Sequence, residues 1–352
     1  MRTGICMDAD KSMTKILPTD TPELMAQAVR EAVARLRAGE LVAVPTETVY
    51  GLAANALDGR AVARIFEVKN RPPRNPIIVH VASIRMAQEC VAEWPKTADL
   101  LAKAFWPGPL TLVLPKAKCI PEVVTAGGDT VGVRWPDHPV IHAVINACGF
   151  PLAAPSANVS SQLSATTAQH VRRCLGDKLP LILDGGPCPI GIESTVLDLT
   201  CDPPRVLRPG LIHESAISAV LGRAVAPAQA GKHDEPLRSP GQMLRHYAPR
   251  ARLFVWRWED ETTLQVLLNK HNLAAAVCHL ITHLRPPTQI KFGSVVVLPR
   301  DVRAYARVLY AALHECDDAG ASAIIVRAPP ENPEWSAIAD RLARASAGEV
   351  PS

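Results

Sequence analysis

Aromatic residues are scarce, at 4% of the 352 positions. The core must therefore be mostly Ala, Val, Leu and Ile. That mix suits strands buried on both faces beneath helices. No apolar run reaches the roughly 18 residues of a membrane-crossing helix. The opening MRTGICMDADKSMTK carries acids and no apolar stretch, so it reads as a flexible tail over residues 1–20 and not as a secretory signal. The nine cysteines contain no C-x-x-C pair. This odd, unpatterned set fits reduced thiols in a cytoplasmic protein better than a disulfide framework or a zinc site. Neither sign of charge dominates, with 38 Lys and Arg against 34 Asp and Glu, a net charge of +4. Any nucleic-acid surface would have to be a local patch.

Several chemical signatures are also missing. Without G-x-x-x-x-G-K-[ST], nucleotide binding would not use a Walker loop. Without G-x-S-x-G there is no elbow for an acyl-transfer serine. H-E-x-x-H is absent, and the C-terminal part has no G-x-G-x-x-G for a dinucleotide.

What is present is globular. Hydrophobic residues make up 48% and charged residues 20%, and the length suits about two domains. Thr21, Pro22 and Gly39 punctuate a first helix with Leu24, Ala28, Val29, Val33 and Leu36 on one face. LVAV at 41–44 reads as a buried strand running into the hydroxyl-rich loop PTETVYGLAAN. A helix near 59–69 precedes KNRPPRNP. IIVHVA (77–82), TLVLP (111–115), VGVRW (131–135) and LAAPSAN (152–158) read as strands, with a helix near 139–148 and another that Thr167 caps. LILDGG, STVLDLT and RVLRPG complete a β-rich section to about residue 210. The Ala/Pro/Gly-rich stretch after Leu221 reads as a linker. Beyond it, LFVWRW, AAAVCHL, SVVVLP and AIIVRAP alternate with helices near 260–271, 301–316 and 334–347, the pattern of a smaller Rossmann-like β/α domain. The expected organisation is a tail (1–20), a catalytic domain (21–212), a linker or lid (213–250) and a C-terminal domain (251–352).

Polar residues cluster at the expected strand ends, where open α/β sheets bind ligands. PTETVYGL offers Thr46, Thr48 and Tyr50. KNRPPRNPIIVH offers Lys69, Arg71, Arg74, Asn75 and His80. TAGGDTVGVR offers Thr130 and Arg134, and APSANVSSQLS offers Ser156, Asn158, Ser160 and Ser164. Lys69 and Arg71 lie two apart ahead of a proline, so an extended segment would point both one way as a phosphate clamp. The competing reading is a solvated surface pair. Gly127-Gly128 is an anion-binding nest or a simple turn. Arg134 is a carboxylate receptor or a solvent-facing strand residue. His80 is a ligand or, more commonly in such an apolar run, a hydrogen-bonded core residue. Cys188 has no clear partner and reads as structural.

Taken together, PTETVYGLAANA, KNRPPRNPIIVHV, FWPGPLTLVLP, TVGVRWPDHP, PLAAPSANVS, GIESTVLDL and VLRPG resemble the YrdC family of threonylcarbamoyl-AMP synthases, in family order over about residues 22–212. SPGQMLRHYAP (239–249) and the β/α tail resemble that family's longer, two-domain branch. The resemblance implies a twisted open α/β sheet with a concave basic groove. It implies an enzyme, a nucleotidyltransferase that makes threonylcarbamoyl-AMP and pyrophosphate from L-threonine, bicarbonate and ATP with Mg2+ on the phosphates. Partner proteins would transfer the threonylcarbamoyl group to adenosine in tRNAs reading codons that begin with A, with weak tRNA contact as a further possibility. The family's Lys-x-Arg and Ser-x-Asn pairs fall on Lys69, Arg71, Ser156 and Asn158 as catalytic residues. Threonine would lie near Thr48, His80, Arg134, the backbone of Ala154, and Ser194. ATP would lie near Arg71, Asn75, Thr130, Ser156, Ser164, Arg208 and Tyr247. SQLSATT is a loose version of the family's loop around Ser164, whereas RHYAP is intact. Two competing readings are an RNA-binding module of the same fold, for which RNP motifs and stacking aromatics are lacking, and a carbamoyl transferase, for which an acylphosphatase-like or zinc module is lacking.

Overall fold

The computed structural model describes residues 14–228 and 246–347. The first part of the expected tail and residues 229–245 of the expected linker, including 239–245 of SPGQMLRHYAP, lie outside the described residues.

Strands β1 (Lys15–Pro18), β2 (Val42–Val44), β3 (Gly51–Asn55), β4 (Val79–His80), β5 (Leu110–Pro115), β6 (Thr130–Arg134), β7 (Leu152–Ala153), β8 (Leu181–Asp184), β9 (Thr195–Asp198) and β10 (Arg205–Arg208) form one 10-stranded sheet in the order β1-β8-β2-β3-β7-β4-β6-β5-β9-β10. The expected 1–20 tail is corrected here, because Lys15–Pro18 pair in parallel with Leu181–Asp184. The loop read from PTETVYGLAAN is also shorter than expected. Its second half is β3, antiparallel to β2. The sheet is mixed: β2–β3, β3–β7, β4–β7, β5–β6 and β9–β10 are antiparallel.

Helices α1 (Pro22–Arg37), α2 (Gly59–Lys69), α3 (Ile84–Glu89), α4 (Lys96–Phe105), α5 (Glu122–Thr125), α6 (Pro139–Cys148), α7 (Ala168–Leu175) and α8 (Glu214–Leu221) surround this sheet. The caps explain several of the boundaries. The Thr21 hydroxyl accepts from Leu24 N, and the Asp58 carboxylate from Arg60 N and Ala61 N. Strand alternation then sorts the core. Val42, Val44 and Ala53 pack with α1 and α6, while Ala43, Leu52 and Ala54 face the opposite cluster with α2, α4 and α7.

The second unit has β11 (Arg252–Trp256), β12 (Cys278–Thr282), β13 (Ser294–Val297) and β14 (Ala323–Arg327) in the parallel order β11-β14-β12-β13, with α9 (Glu261–Lys270), α10 (Val302–Asp318) and α11 (Ser336–Ser346). The cluster lined by α10 and α11 continues across the seam to Val49, Leu163, Ile192 and Tyr247. The two units come close at Gly191, whose φ is +85°. A Cβ there would lie 2.5 Å from the Ala306 carbonyl oxygen and the Arg307 Cα, so α10 rests against bare backbone.

Candidate active site

Three connections bring the polar clusters together: the loop between β2 and β3, the segment after α2, and the turn after β7. The Thr46 hydroxyl accepts from Thr48 N at 3.1 Å and Val49 N at 3.3 Å, folding PTETV into a local turn. Pro155 O accepts from Leu52 N and Tyr50 O from Ala157 N, at 2.7 Å each, which ties the Ser156 turn to β3. Helix α2 ends at Asn70, in the left-handed region with φ 49°. Lys69 is thus the last helical residue and not part of an extended segment. The reading of Lys69 and Arg71 as alternate positions on a strand is corrected, and so is the solvated-pair alternative, since both are buried.

Their hydrogen-bond partners are neutral carbonyl oxygens. Lys69 Nζ donates to the carbonyls of Ser156 and Asn158 and, at 3.4 Å, to Asn158 Oδ1. Arg71 donates to Asn75 O at 3.0 Å and Pro76 O at 2.6 Å. Neither has an ion-pair partner among the described residues. Burial, and then the neighbouring Arg71, hold the Lys69 ammonium well below the usual lysine range. Burial also lowers the Arg71 guanidinium to about 9, with Arg208 adding to the effect.

Thr48, Arg71, His80, Arg134, Ala154, Ser156, Arg208 and Tyr247 line one cavity, with Tyr50, Glu193 and His246. Arg134 faces inward, which overturns its solvent-facing alternative. Its guanidinium pairs with Glu47 at 2.7 Å and donates to Thr48 Oγ1 at 2.9 Å and Gly108 O at 3.2 Å. His80 is buried, and its Nδ1 has no hydrogen-bond partner among the described residues. Burial, then Arg134, lower its imidazole to about 3, so it is a neutral ring over the physiological range. It lines the cavity from the end of β4. His246 is likewise lowered to about 3 by burial.

Six expected site residues stand behind this lining. Lys69 and Asn158 brace the turn, where Asn158 Nδ2 donates to Val159 O and Gln162 O. Asn75 is fully buried beside Arg71. Thr130 lines an adjacent apolar hollow with Pro76, Val113 and Val196. Ser194 Oγ bonds Thr111 Oγ1 at 2.8 Å and accepts from Arg208 at 3.1 Å. Ser164 Oγ donates to Glu193 Oε1 at 2.5 Å. Two other readings resolve. The Gly127 and Gly128 amides bond Glu122 O and Thr125 O, so this is a helix-ending turn and not a nest. Burial pushes the Cys188 thiol far up, as befits a structural cysteine.

Sequence reasoning missed Glu47, Glu193 and His246. Glu47 lies inside PTETVY and was passed over in favour of the hydroxyls. Glu193 lies inside GIEST, where nothing local indicates the partner it meets. Among the described residues no group of three or more His, Cys, Asp or Glu side chains is placed to hold a metal.

The cavity is nearly full, with about 50 Å³ free, against roughly 300–1,000 Å³ for pockets that enclose drug-sized ligands. His246 and Tyr247 sit in its wall with ring centroids 4.0 Å apart. The Tyr247 backbone is left-handed, at φ 62°, and its hydroxyl has no hydrogen-bond partner among the described residues.

Comparison with known proteins agrees with this arrangement. Residues 34–210 match the Sua5/YciO/YrdC family model, described as telomere recombination, and residues 212–347 match one described as threonylcarbamoyl-AMP synthase, C-terminal domain. The chain is 41% identical to a threonylcarbamoyl-AMP synthase of Pyrococcus abyssi, over 90% of this chain and 94% of that one. It is 39% identical to a threonylcarbamoyl-AMP synthase of Bacillus subtilis, over 96% and 97%. The crystal structure of P. abyssi Sua5 complexed with L-threonine superposes with a TM-score of 0.87 at 40% identity, covering 95% of this chain and 98% of that one. A two-sheet chain whose cations and hydroxyls meet in one cavity, and which matches both halves of these relatives, belongs to the Sua5/YciO/YrdC family in its two-domain threonylcarbamoyl-AMP synthase form.

Proposed function

We propose that this chain is a nucleotidyltransferase that makes threonylcarbamoyl-AMP from L-threonine, bicarbonate and ATP, releasing pyrophosphate. The observation that carries this reading is the burial of Lys69 and Arg71 with only neutral carbonyl oxygens as described hydrogen-bond partners. Desolvated cations are costly unless a countercharge arrives, and a triphosphate supplies one. The relatives named threonylcarbamoyl-AMP synthase, and the threonine complex of the P. abyssi protein, support the choice of substrates.

The chemistry asks for positioning more than for a strong base. The threonine amine and bicarbonate give a carbamate with loss of water. A carbamate oxygen then attacks the α-phosphorus, and the bond from that phosphorus to the bridging oxygen of the β-phosphate breaks. Both partners are anions, so repulsion makes up much of the barrier, and fixed cations lower it. In this reading Arg71 and Arg208 hold the phosphates, with Lys69 behind them fixing the Ser156 turn. Arg134, already oriented by Glu47, adds a shared contact to the amino-acid carboxylate. Thr48, on the cavity wall, would read the threonine hydroxyl, with Ser194 behind it holding Arg208. Neutral His80 gives its unpartnered Nδ1 to the same ligand. The lining is rich in cations and hydroxyls, and its carboxylate Glu193 is already paired with Arg341, which suits phosphate-borne Mg2+ completed by water. When bound, Mg2+ would withdraw charge from the phosphates.

The free volume implies that His246 and Tyr247 swing out to admit the nucleotide. The reading further places the chain in the cytoplasm, where transfer proteins would move the threonylcarbamoyl group to tRNA adenosine. No helix among the described residues is long and apolar enough to cross a membrane. The test is pyrophosphate release from ATP with threonine and bicarbonate omitted in turn. Release should require both, and release independent of threonine would defeat the proposal.

A further inference from the structure

We infer that Arg341 of the C-terminal unit is a positioning residue for the N-terminal active site, an inference that rests on the function proposed above. Arg341 lies on α11 at 1% exposure. It does not line the cavity. Its Nε donates to Glu193 Oε2 at 2.7 Å, and its Nη2 to Pro209 O at 3.0 Å and Glu193 O at 3.3 Å. Its Nη1 is held by Asp340 at 2.7 Å.

One planar guanidinium therefore clamps two segments, the one entering β9 and the one leaving β10. Those segments carry Ser194 and Arg208, which bond each other through Arg208 Nε to Ser194 O at 3.0 Å and Arg208 Nη2 to Ser194 Oγ at 3.1 Å. The far side of Glu193 is fixed as well. Its Oε1 accepts from Ser164 Oγ at 2.5 Å, and its Oε2 from the Tyr310 hydroxyl of α10 at 3.2 Å. The Arg341 guanidinium also stands over the Tyr247 ring, 5.2 Å from its centroid. Ser164, Ser194, Arg208 and Tyr247 thus all depend on one side chain from the other unit.

Stability alone does not call for this arrangement. A buried ion pair is often replaceable by packed apolar residues at no loss, and this one borders the apolar cluster at the seam. The fork geometry is what an apolar residue, or a lysine, cannot reproduce. The C-terminal unit, on this view, sets the geometry of the nucleotide end of the site.

The test uses the full chain with Arg341→Lys, which keeps the charge but loses the fork, and the double variant Glu193→Gln/Arg341→Met, which removes both charges together. Circular dichroism and melting establish folding, and pyrophosphate release gives kcat and KM for ATP. Misplacing the phosphate-binding groups should lower kcat/KM by about ten- to a hundredfold, mainly through KM for ATP, in both folded variants. A purely structural role would change the melting temperature and the amount of folded enzyme but leave KM at the parent value. Parent KM for ATP in either folded variant overturns the inference. If Arg341→Lys does not fold, the double variant decides. If neither folds, Arg341 is structural and the inference falls. If the parent itself releases no pyrophosphate, the functional proposal fails instead.

Discussion

Lys69 Nζ donates to the carbonyls of both Ser156 and Asn158, so the last residue of one helix pins the turn that follows a strand almost ninety positions away. Replacing it with alanine removes a cation from the site and also leaves two buried carbonyls without that donor. We expect Lys69→Ala to abolish threonine-dependent pyrophosphate release and to cost about 1–3 kcal/mol of stability for each carbonyl left unsatisfied. Denaturant unfolding measures the second effect. An unaltered midpoint would show that the turn holds without its lysine.

Tyr247 and His246 stand in the wall of the nearly filled cavity, and the Tyr247 hydroxyl is buried there without a described hydrogen-bond partner. Its ring offers a closing face, with Arg341 on one side. Tyr247→Ala should weaken ATP binding, and calorimetric titration of the full chain with ATP checks it. Loss of a stacked aromatic should cost on the order of 1–3 kcal/mol, so the dissociation constant should rise by about five- to a hundredfold. Unchanged affinity would mean that these residues only pack the cavity wall.

The sequence carried the site's inventory better than its geometry. Thr48, Arg71, His80, Arg134, Ala154, Ser156, Arg208 and Tyr247 do meet in one cavity, because family-like motifs mark the loops at strand ends. The Lys69–Arg71 arrangement was misread because the left-handed turn at Asn70 is invisible to a rule that treats residues before proline as extended. β1 was read as tail because a four-residue edge strand acquires its meaning only from its partner β8. Glu193 and Arg341 were illegible for a deeper reason. They are 148 positions apart, each sits in an unremarkable local pattern, and only docking of the two units gives either a role.

Gly191 tests that docking directly. Its φ of +85° disfavours any side chain, and a Cβ would meet the α10 backbone at 2.5 Å. Neither atom belongs to a flexible side chain that could give way. Gly191→Ala should therefore destabilise the chain by roughly 1–3 kcal/mol. It should also raise KM for ATP, since the shift would move Arg341 away from Glu193. A parent melting temperature and parent KM would show that the seam is looser than its packing indicates.

Buried histidines set an acid limit. His80, His170 and His246 are each lowered to about 3 by burial, and His170 also stacks at 4.0 Å on His314 across the seam. Between pH 3 and 6.5 the unfolded chain binds protons that the folded chain does not, so stability rises with pH in that window and falls as pH drops through it. Each such histidine contributes a slope of up to about 1.4 kcal/mol per pH unit. His170→Asn should flatten the dependence of unfolding free energy on pH between 6.5 and 5 by about one proton's worth. An unchanged slope would show that His170 already titrates normally in the folded chain.

Lys69 makes a sharper prediction about binding. Burial and the Arg71 charge hold its ammonium well below the usual range, which favours the neutral amine at alkaline pH. A bound triphosphate reverses the local field and favours the ammonium. ATP binding should therefore take up protons, and affinity should strengthen as pH falls towards neutrality. At about pH 8.5 the nucleotide's own phosphates are already ionised, their second dissociation lying near 6, so uptake there reports on the protein. Titration calorimetry in buffers of differing ionisation enthalpy should give a non-zero slope of apparent binding enthalpy against that quantity, with the sign of uptake. A folded Lys69→Met variant should lose most of it. A flat plot with the parent chain would mean that Lys69 carries its charge before the nucleotide arrives, and that the anion answers the field of Arg71 and Arg208 alone.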